Sequence, residues 1–183
     1  MKPILTIAIA LSLAACAMQP QGRTVDRLPF NEAEYAALPK SGTGVLRGQL
    51  FAKQRGGGVV KGAGSEIILN PVTSLSLQWY DEARRGNLMS EPDPRYVAAG
   101  RTTKADAEGR FEFRNVPPGD YFINGAVSWE VPGLGVQGGR AVERVKVQNG
   151  ETPDVILALY TPTHNTTRSG GFFFVLTHPL RRV

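Results

Sequence analysis

Thr102-Thr103-Lys104-Ala105-Asp106-Ala107-Glu108-Gly109-Arg110-Phe111-Glu112-Phe113, with Val116-Pro117-Pro118-Gly119-Asp120-Tyr121 just beyond it, is the stretch whose reading decides the fold. Asp106 to Gly109 reads as a turn, with glycine where positive φ is cheapest. Phe111 and Phe113 alternate with Arg110, Glu112 and Arg114, a two-residue period that sends one face into a core. The spacing predicts a hairpin across 106–109. Pro118 then presets φ for the first central position of a second turn, and Gly119 supplies the next. A long strand is expected after it, with Tyr121, Ile123, Val127 and Trp129 on one face and Asn124, Ser128 and Glu130 on the other.

On the N-terminal side, Val45 to Phe51 reads as a first strand, followed by a flexible Arg55-Gly56-Gly57-Gly58 loop. Glu66 to Leu69 is a second apolar run, closed by Asn70-Pro71. Ser74 to Tyr80 is expected to be extended, and Asp81 to Pro94 a loop with one helical turn near Glu82. Tyr96 to Thr103 resumes a strand. Many short apolar runs are punctuated by 21 glycines and 13 prolines in a chain of 183 residues, which has room for one core. The expected fold is therefore mainly β: a sandwich of seven or so strands with a short N-terminal helix and an extra C-terminal strand.

The succession of Thr102, Thr103, Asp106, Gly109, Phe111, Phe113, Pro117, Gly119 and Tyr121 resembles the carboxypeptidase regulatory-like family, whose modules are transthyretin-like Greek-key β-sandwiches. The likeness extends more loosely over 44 to 157, within a module expected to span 44–160, with Val45-Leu46-Arg47-Gly48-Gln49 fitting the opening strand and Val142 to Val147 with Asp154 to Leu159 fitting the closing pair. It implies a fold and says little about function, because such modules serve as spacers, stabilisers, carbohydrate-associated units and envelope components. Residues 70 to 98 are longer than a minimal module, and an elaborated loop on a rigid sandwich is where binding tends to reside.

The chain begins with a short basic segment, Met1-Lys2-Pro3, an apolar run from Ile4 to Leu13, and Leu13-Ala14-Ala15-Cys16. This is the pattern of a secretory leader, too short to anchor by itself. The tetrapeptide resembles a bacterial lipobox, implying cleavage between Ala15 and Cys16 and acylation of the cysteine thiol. Cys16 is the chain's one cysteine, so acylation would consume it and leave no disulfide framework. The resemblance implies attachment to the outer membrane, with Ala17 in place of a retention aspartate; the periplasmic side is expected, and the sequence leaves the outward-facing leaflet open. Residues 1–15 are then leader and 16–43 a lipidated tether. The tether is interrupted by a helix over 31–38, with Asn31 as cap, Glu34 reaching back as in a capping box, and Phe30 and Tyr35 as an apolar staple.

The net charge of +5 falls to +4 once Lys2 leaves with the leader, and its basic residues are scattered without interleaved stacking aromatics. Nucleic acid is not an expected partner. No cofactor, no metal and no catalytic residue is expected. His164 and His178 are the chain's two histidines, both near the C-terminus, and neither zinc-ligand spacing nor an activated-serine motif is present. Asp106, Glu108 and Gly109 lack the spaced carboxylates of a calcium loop. Arg55-Gly56-Gly57-Gly58 lacks the Lys-Ser/Thr ending of a phosphate loop. Phe172 to Leu176, within a 161–183 extension carrying a strand over 171–177, is apolar at successive positions. It is expected to pair along the sandwich edge, or else to complete another protein by β-augmentation. Trp79, Tyr80, Tyr96, Trp129 and Glu130 form the candidate binding rim, aromatic and acidic. The functional expectation is a non-enzymatic, membrane-anchored envelope module that binds or scaffolds a protein partner. The alternative is a lipoprotein recognising a cell-wall or surface carbohydrate.

Overall fold

A computed structural model describes residues 23–160, apart from 55 and 134, together with the backbone of Phe173–Leu176. The leader, Cys16 and both histidines lie outside the described residues. The elements run β1 (Thr24–Val25), α1 (Glu32–Ala36), β2 (Gly44–Lys53), β3 (Val59–Lys61), β4 (Glu66–Pro71), α2 (Ser74–Arg84), β5 (Leu88–Met89), α3 (Pro94–Ala99), β6 (Arg101–Lys104), β7 (Arg110–Val116), β8 (Gly119–Val131), β9 (Gly135–Val147), β10 (Asp154–Tyr160) and β11 (Phe173–Leu176).

The protein is a β-sandwich. β2 is the spine of one sheet, with β10 parallel to it on one side and β7 and β3 following each other antiparallel on the other. The second sheet runs β11-β9-β8-β4-β6. Leu46, Leu50, Ile67, Ile123, Val147 and Leu157 are all fully buried between the two sheets. The expected faces of β8 are observed: Tyr121, Ile123 and Val127 belong to this core, and Trp129 packs against it. Phe111 and Phe113 meet edge to face at 6.4 Å, the arrangement that ring quadrupoles favour. Gly48 lets β2 and β10 close, because a Cβ there would sit 2.2 Å from the Val155 carbonyl oxygen.

The turn at 106–109 forms as its residues require. Gly109 has φ 76°, its N–H donates to the Asp106 carbonyl at 3.0 Å, and Asp106 Oδ1 accepts from the backbone N–H groups of Glu108 and Arg110. It does not join a hairpin. β6 pairs with β4 in one sheet and β7 with β2 in the other, so the turn carries the chain across the sandwich. Buried Ala105 and the bond from Leu50 N–H to the Gly109 carbonyl anchor the corner to both sheets. The second expected turn also differs. Gly119 is not in the left-handed region and already belongs to β8, while the positive φ falls on Asn115, at 53°. Asn tolerates that region better than other side-chain-bearing residues. Tyr121 secures the corner by donating from its hydroxyl to the Pro117 carbonyl at 2.8 Å.

The segment expected as an extended run, a loop and a strand is largely helical. Ser74 to Tyr80 lies within α2, and Tyr96 within α3 rather than in a strand that reaches Thr103. The alternation Leu75-Ser76-Leu77-Gln78-Trp79 imitates a strand, yet Leu75 is buried and Leu77 is 41% exposed. Local capping decides the matter: the Thr73 side chain accepts from Ser76 N–H, and the Ser76 hydroxyl accepts from Thr73 N–H. α3 is set by Asp93, whose carboxylate accepts from Arg95 N–H, with Pro94 at the first helical position. Residues 70 to 98 are thus a packed layer rather than a loop. Tyr80 stacks on Phe122 at 4.6 Å, covering the outer face of the second sheet, and Leu75, Tyr35 and Tyr96 form a second small core.

Residues 23 to 40 join this layer instead of trailing as a tether. β1 pairs with β5, Leu28 N–H donates to Gln78 Oε1, and Gln78 Nε2 donates back to the Asp26 carbonyl. Asn31 caps α1 as expected. The Glu34 carboxylate does not close a capping box on Asn31: it accepts from both the N–H and the hydroxyl of Ser74, at 2.8 and 2.7 Å, at the start of α2. A carboxylate at an open helix N-terminus gains more there than on its own five-residue helix. β11 runs parallel to β9 at the sheet edge, from Phe173↔Gly139 to Leu176↔Val142.

Candidate functional site

The corner between β7 and β8 projects beside α1 and the end of α3, and a cleft of about 610 Å³ opens between them. Its apolar floor is made by Phe30, Tyr35, Pro71, Pro117, Pro118 and Tyr121. Each is placed by an element already described. Tyr35 is held by α1 and shares a hydrogen bond of 2.8 Å with the Thr73 hydroxyl. Tyr121 opens β8 on the bond to Pro117. Burial raises the pKa of both tyrosines above the ordinary value, opposed at Tyr121 by the adjacent Arg101. Both hydroxyls are therefore neutral donors or acceptors at physiological pH.

Four cations and one carboxylate line the same cleft: Lys40, Arg95, Arg101, Arg144 and Asp120. Arg95 is spoken for. It bonds Asp93 through two nitrogens at 3.1 and 2.8 Å and Glu32 at 2.5 Å, while its guanidinium lies 4.4 Å over the Phe30 ring. The bond to Asp93 raises the Arg95 pKa, and the same contact holds the Asp93 carboxyl below the ordinary carboxylate range. Arg101 donates to two carbonyls of the corner, Asn115 at 2.9 Å and Arg114 at 2.7 Å. Lys40 Nζ donates to the Tyr35 carbonyl at 2.7 Å. Arg144 and Asp120 face each other at 3.6 Å, both about half exposed.

The arrangement offers a hydrophobic seat with charged donors at its margin, the make-up of a binding site. Among the described residues no group of three or more His, Cys, Asp and Glu side chains is placed to hold a metal ion. No helix among them is long and apolar enough to cross a membrane.

The rim expected from sequence does not assemble. Trp79 and Tyr80 lie on α2 over the outer face of the second sheet, Tyr96 is buried beneath Arg27 in the small core, and Trp129 packs on the opposite, inner face. Phe122, beneath Tyr80, and Trp129 are seven residues apart on β8, about 23 Å at strand rise. Glu130 is exposed beyond them. None of the five lines the cleft. Pro117, Gly119 and Tyr121 of the motif do line it, whereas Thr102, Thr103, Asp106, Gly109, Phe111 and Phe113 build the sandwich around it. Sequence reasoning missed Lys40, Arg95, Arg101, Asp120 and Arg144. For Lys40, Arg95, Arg101 and Asp120 the signal available was proximity in the chain to the motif or to the capped helices; Arg144, on β9, carried none, and only the packing of α1, α3 and β9 beside the corner makes these residues a site.

No family model matches the chain, and no curated protein sequence does either. Among solved structures, the chain resembles a candidate carbohydrate-binding protein of Pseudomonas aeruginosa, determined by crystallography at 2.61 Å. The two share 30% sequence identity with a TM-score of 0.65, over 73% of this chain and 99% of the other. Likeness of this extent places the chain in the same family as the Pseudomonas protein.

Proposed function

We propose that this protein is a non-catalytic carbohydrate-binding lipoprotein of the bacterial envelope, and that the cleft beside the β7–β8 corner receives the sugar. The observation that carries this reading is the likeness to a candidate carbohydrate-binding protein across nearly all of that protein's length, joined to a cleft with an apolar seat and polar margin. It favours carbohydrate over the protein-scaffold role expected first. The module is of the carboxypeptidase regulatory-like kind, anchored through Cys16 on the periplasmic side of the outer membrane. Because the chain is docked on the domain from residue 23 onward, only residues 17–22 separate it from the acylated cysteine. That segment reaches about 25 Å when extended, so the sandwich works close to the bilayer.

Two measurements test the proposal. Affinity electrophoresis of the purified chain through gels containing polysaccharides should show retardation, lost when Tyr121 and Pro117 are replaced together in a variant that still folds. Absence of retardation by every polysaccharide would refute the carbohydrate reading. Cell fractionation with Cys16→Ser should release the protein from washed membranes, and mass spectrometry of the parent should find an acylated Cys16 at the mature N-terminus. Full membrane retention of the variant would refute the anchor.

A further inference from the structure

We infer that the carbohydrate taken by the cleft is acidic, a polysaccharide bearing carboxylate groups along its chain; this rests on the carbohydrate reading above. Neutral sugars are typically held by stacking their apolar faces on open aromatic rings. The aromatic faces here are already used. Phe30 is stacked on Tyr35, at 4.3 Å between ring centroids, and carries the Arg95 guanidinium over its ring at 4.4 Å. Tyr35 and Tyr121 keep only 7% and 6% of their surface exposed. The floor supplies apolar contact, and recognition falls to the charged margin.

That margin is unbalanced. Arg95 is neutralised by Asp93 and Glu32 and serves to fix α3 against α1. Lys40 and Arg101 have no carboxylate partner among the described residues. Their bonds run to backbone carbonyls, which orient a cation without cancelling its charge. Arg101 is held at the start of β6 by two such bonds, and a planar guanidinium fixed in this way is suited to a carboxylate. Among the described residues Arg144 is engaged by Asp120 alone, at 3.6 Å and in solvent, a contact weak enough to be exchanged for a ligand carboxylate. The cleft therefore presents two uncompensated cations and a third held loosely, and its single acid is the group a polyanion would displace.

The test titrates the purified chain with polygalacturonate and with dextran, at low and high salt. The inference expects polygalacturonate to bind and dextran not, with affinity falling about tenfold or more between 50 and 500 mM NaCl as the exposed charges are screened. Lys40→Gln and Arg144→Gln should each weaken binding about two- to fivefold, and Asp120→Asn should strengthen it by a similar factor, the range of single exposed ion pairs. These positions are on the surface and carry no core packing, whereas Arg101 holds the corner and is left intact. Equal, salt-insensitive binding of both polymers would overturn the acidic ligand and leave the carbohydrate reading standing. Binding to neither would overturn the acidic ligand, and the carbohydrate reading would then be decided by the wider panel of polysaccharides in the electrophoresis test. Weaker polygalacturonate binding by Asp120→Asn would also overturn the inference.

Discussion

The contact between Glu34 and Ser74 gives a quantitative test of how the N-terminal segment is joined to the sandwich. If Glu34 served only its own helix, its removal would cost a few tenths of a kcal/mol, because α1 has five residues and is exposed on most of its surface. In the structure its carboxylate accepts two hydrogen bonds from Ser74, one of them from a free N–H at the start of an eleven-residue helix. A hydrogen bond to a charged group contributes about 1.5–3 kcal/mol when buried. Glu34 and Ser74 are each half-buried, which places the pair of bonds at about 2 kcal/mol in total. For a chain of this size that is a fall in Tm of about 4–8 °C. Urea unfolding of Glu34→Ala, Ser74→Ala and the double variant would measure it, with a coupling energy of about 1 kcal/mol expected from the cycle because Ser74→Ala leaves the N–H in place. A coupling indistinguishable from zero, with Glu34→Ala costing less than about 0.5 kcal/mol, would refute the claim that this carboxylate staples α1 to α2.

Glu143 faces the sandwich interior on β9, opposite fully buried Ile123 and between Ala141 and Val145, and burial raises its pKa to about 7. The folded state then holds a proton that the unfolded chain releases near pH 4.5, so the parent loses stability as pH rises from about 4.5 to 7. Glu143→Gln should be the more stable protein at pH 8 and indistinguishable below pH 4.5, read by urea midpoints across that range; equal midpoints throughout would contradict the inward placement. Gly48→Ala drives a methyl against the Val155 carbonyl and the Phe111 ring, 2.2 and 2.5 Å from the new Cβ, and should cost about 1–3 kcal/mol or more. A Tm within 1 °C of the parent would refute the close approach of β2 to β10. Tyr121→Phe removes the hydrogen bond to Pro117 while keeping the ring, for about 1 kcal/mol and a loosened cleft wall. Amide exchange at 118–121 should accelerate more than at β4, and uniform exchange would count against a corner held by that hydroxyl.

Strand identity was legible wherever alternate positions enter the main core. Phe111 and Phe113, or Tyr121, Ile123 and Val127, alternate because the neighbouring positions meet solvent or a separate layer, and the pattern survives in the chain. It failed at 74–80, where Leu75, Leu77 and Trp79 imitate the same period. There the deciding groups are Thr73 and Ser76, two small hydroxyls whose reciprocal capping outweighs side-chain pattern. It failed again at the 106–109 turn, whose glycine and aspartate specify a reversal of direction but say nothing about which sheet receives the next strand. The cleft was legible only in its floor. Pro117, Gly119 and Tyr121 belong to the motif, while Lys40, Arg95 and Arg144 are ordinary surface cations in sequence and acquire a role from where α1, α3 and β9 place them.

By itself, the sequence determined that this chain is mainly β, that its strands centre on the Phe111 and Tyr121 segments, and that Asn31 starts a short helix, because periodicity and capping are properties of neighbours in the chain. The tertiary structure alone decided that Glu34 caps another helix, that the chain crosses between sheets at Gly109, and that cations from four separate elements or their flanks edge one cleft. Those outcomes bring together residues as far as 104 positions apart, as Lys40 and Arg144 are, and no local pattern records the energies involved.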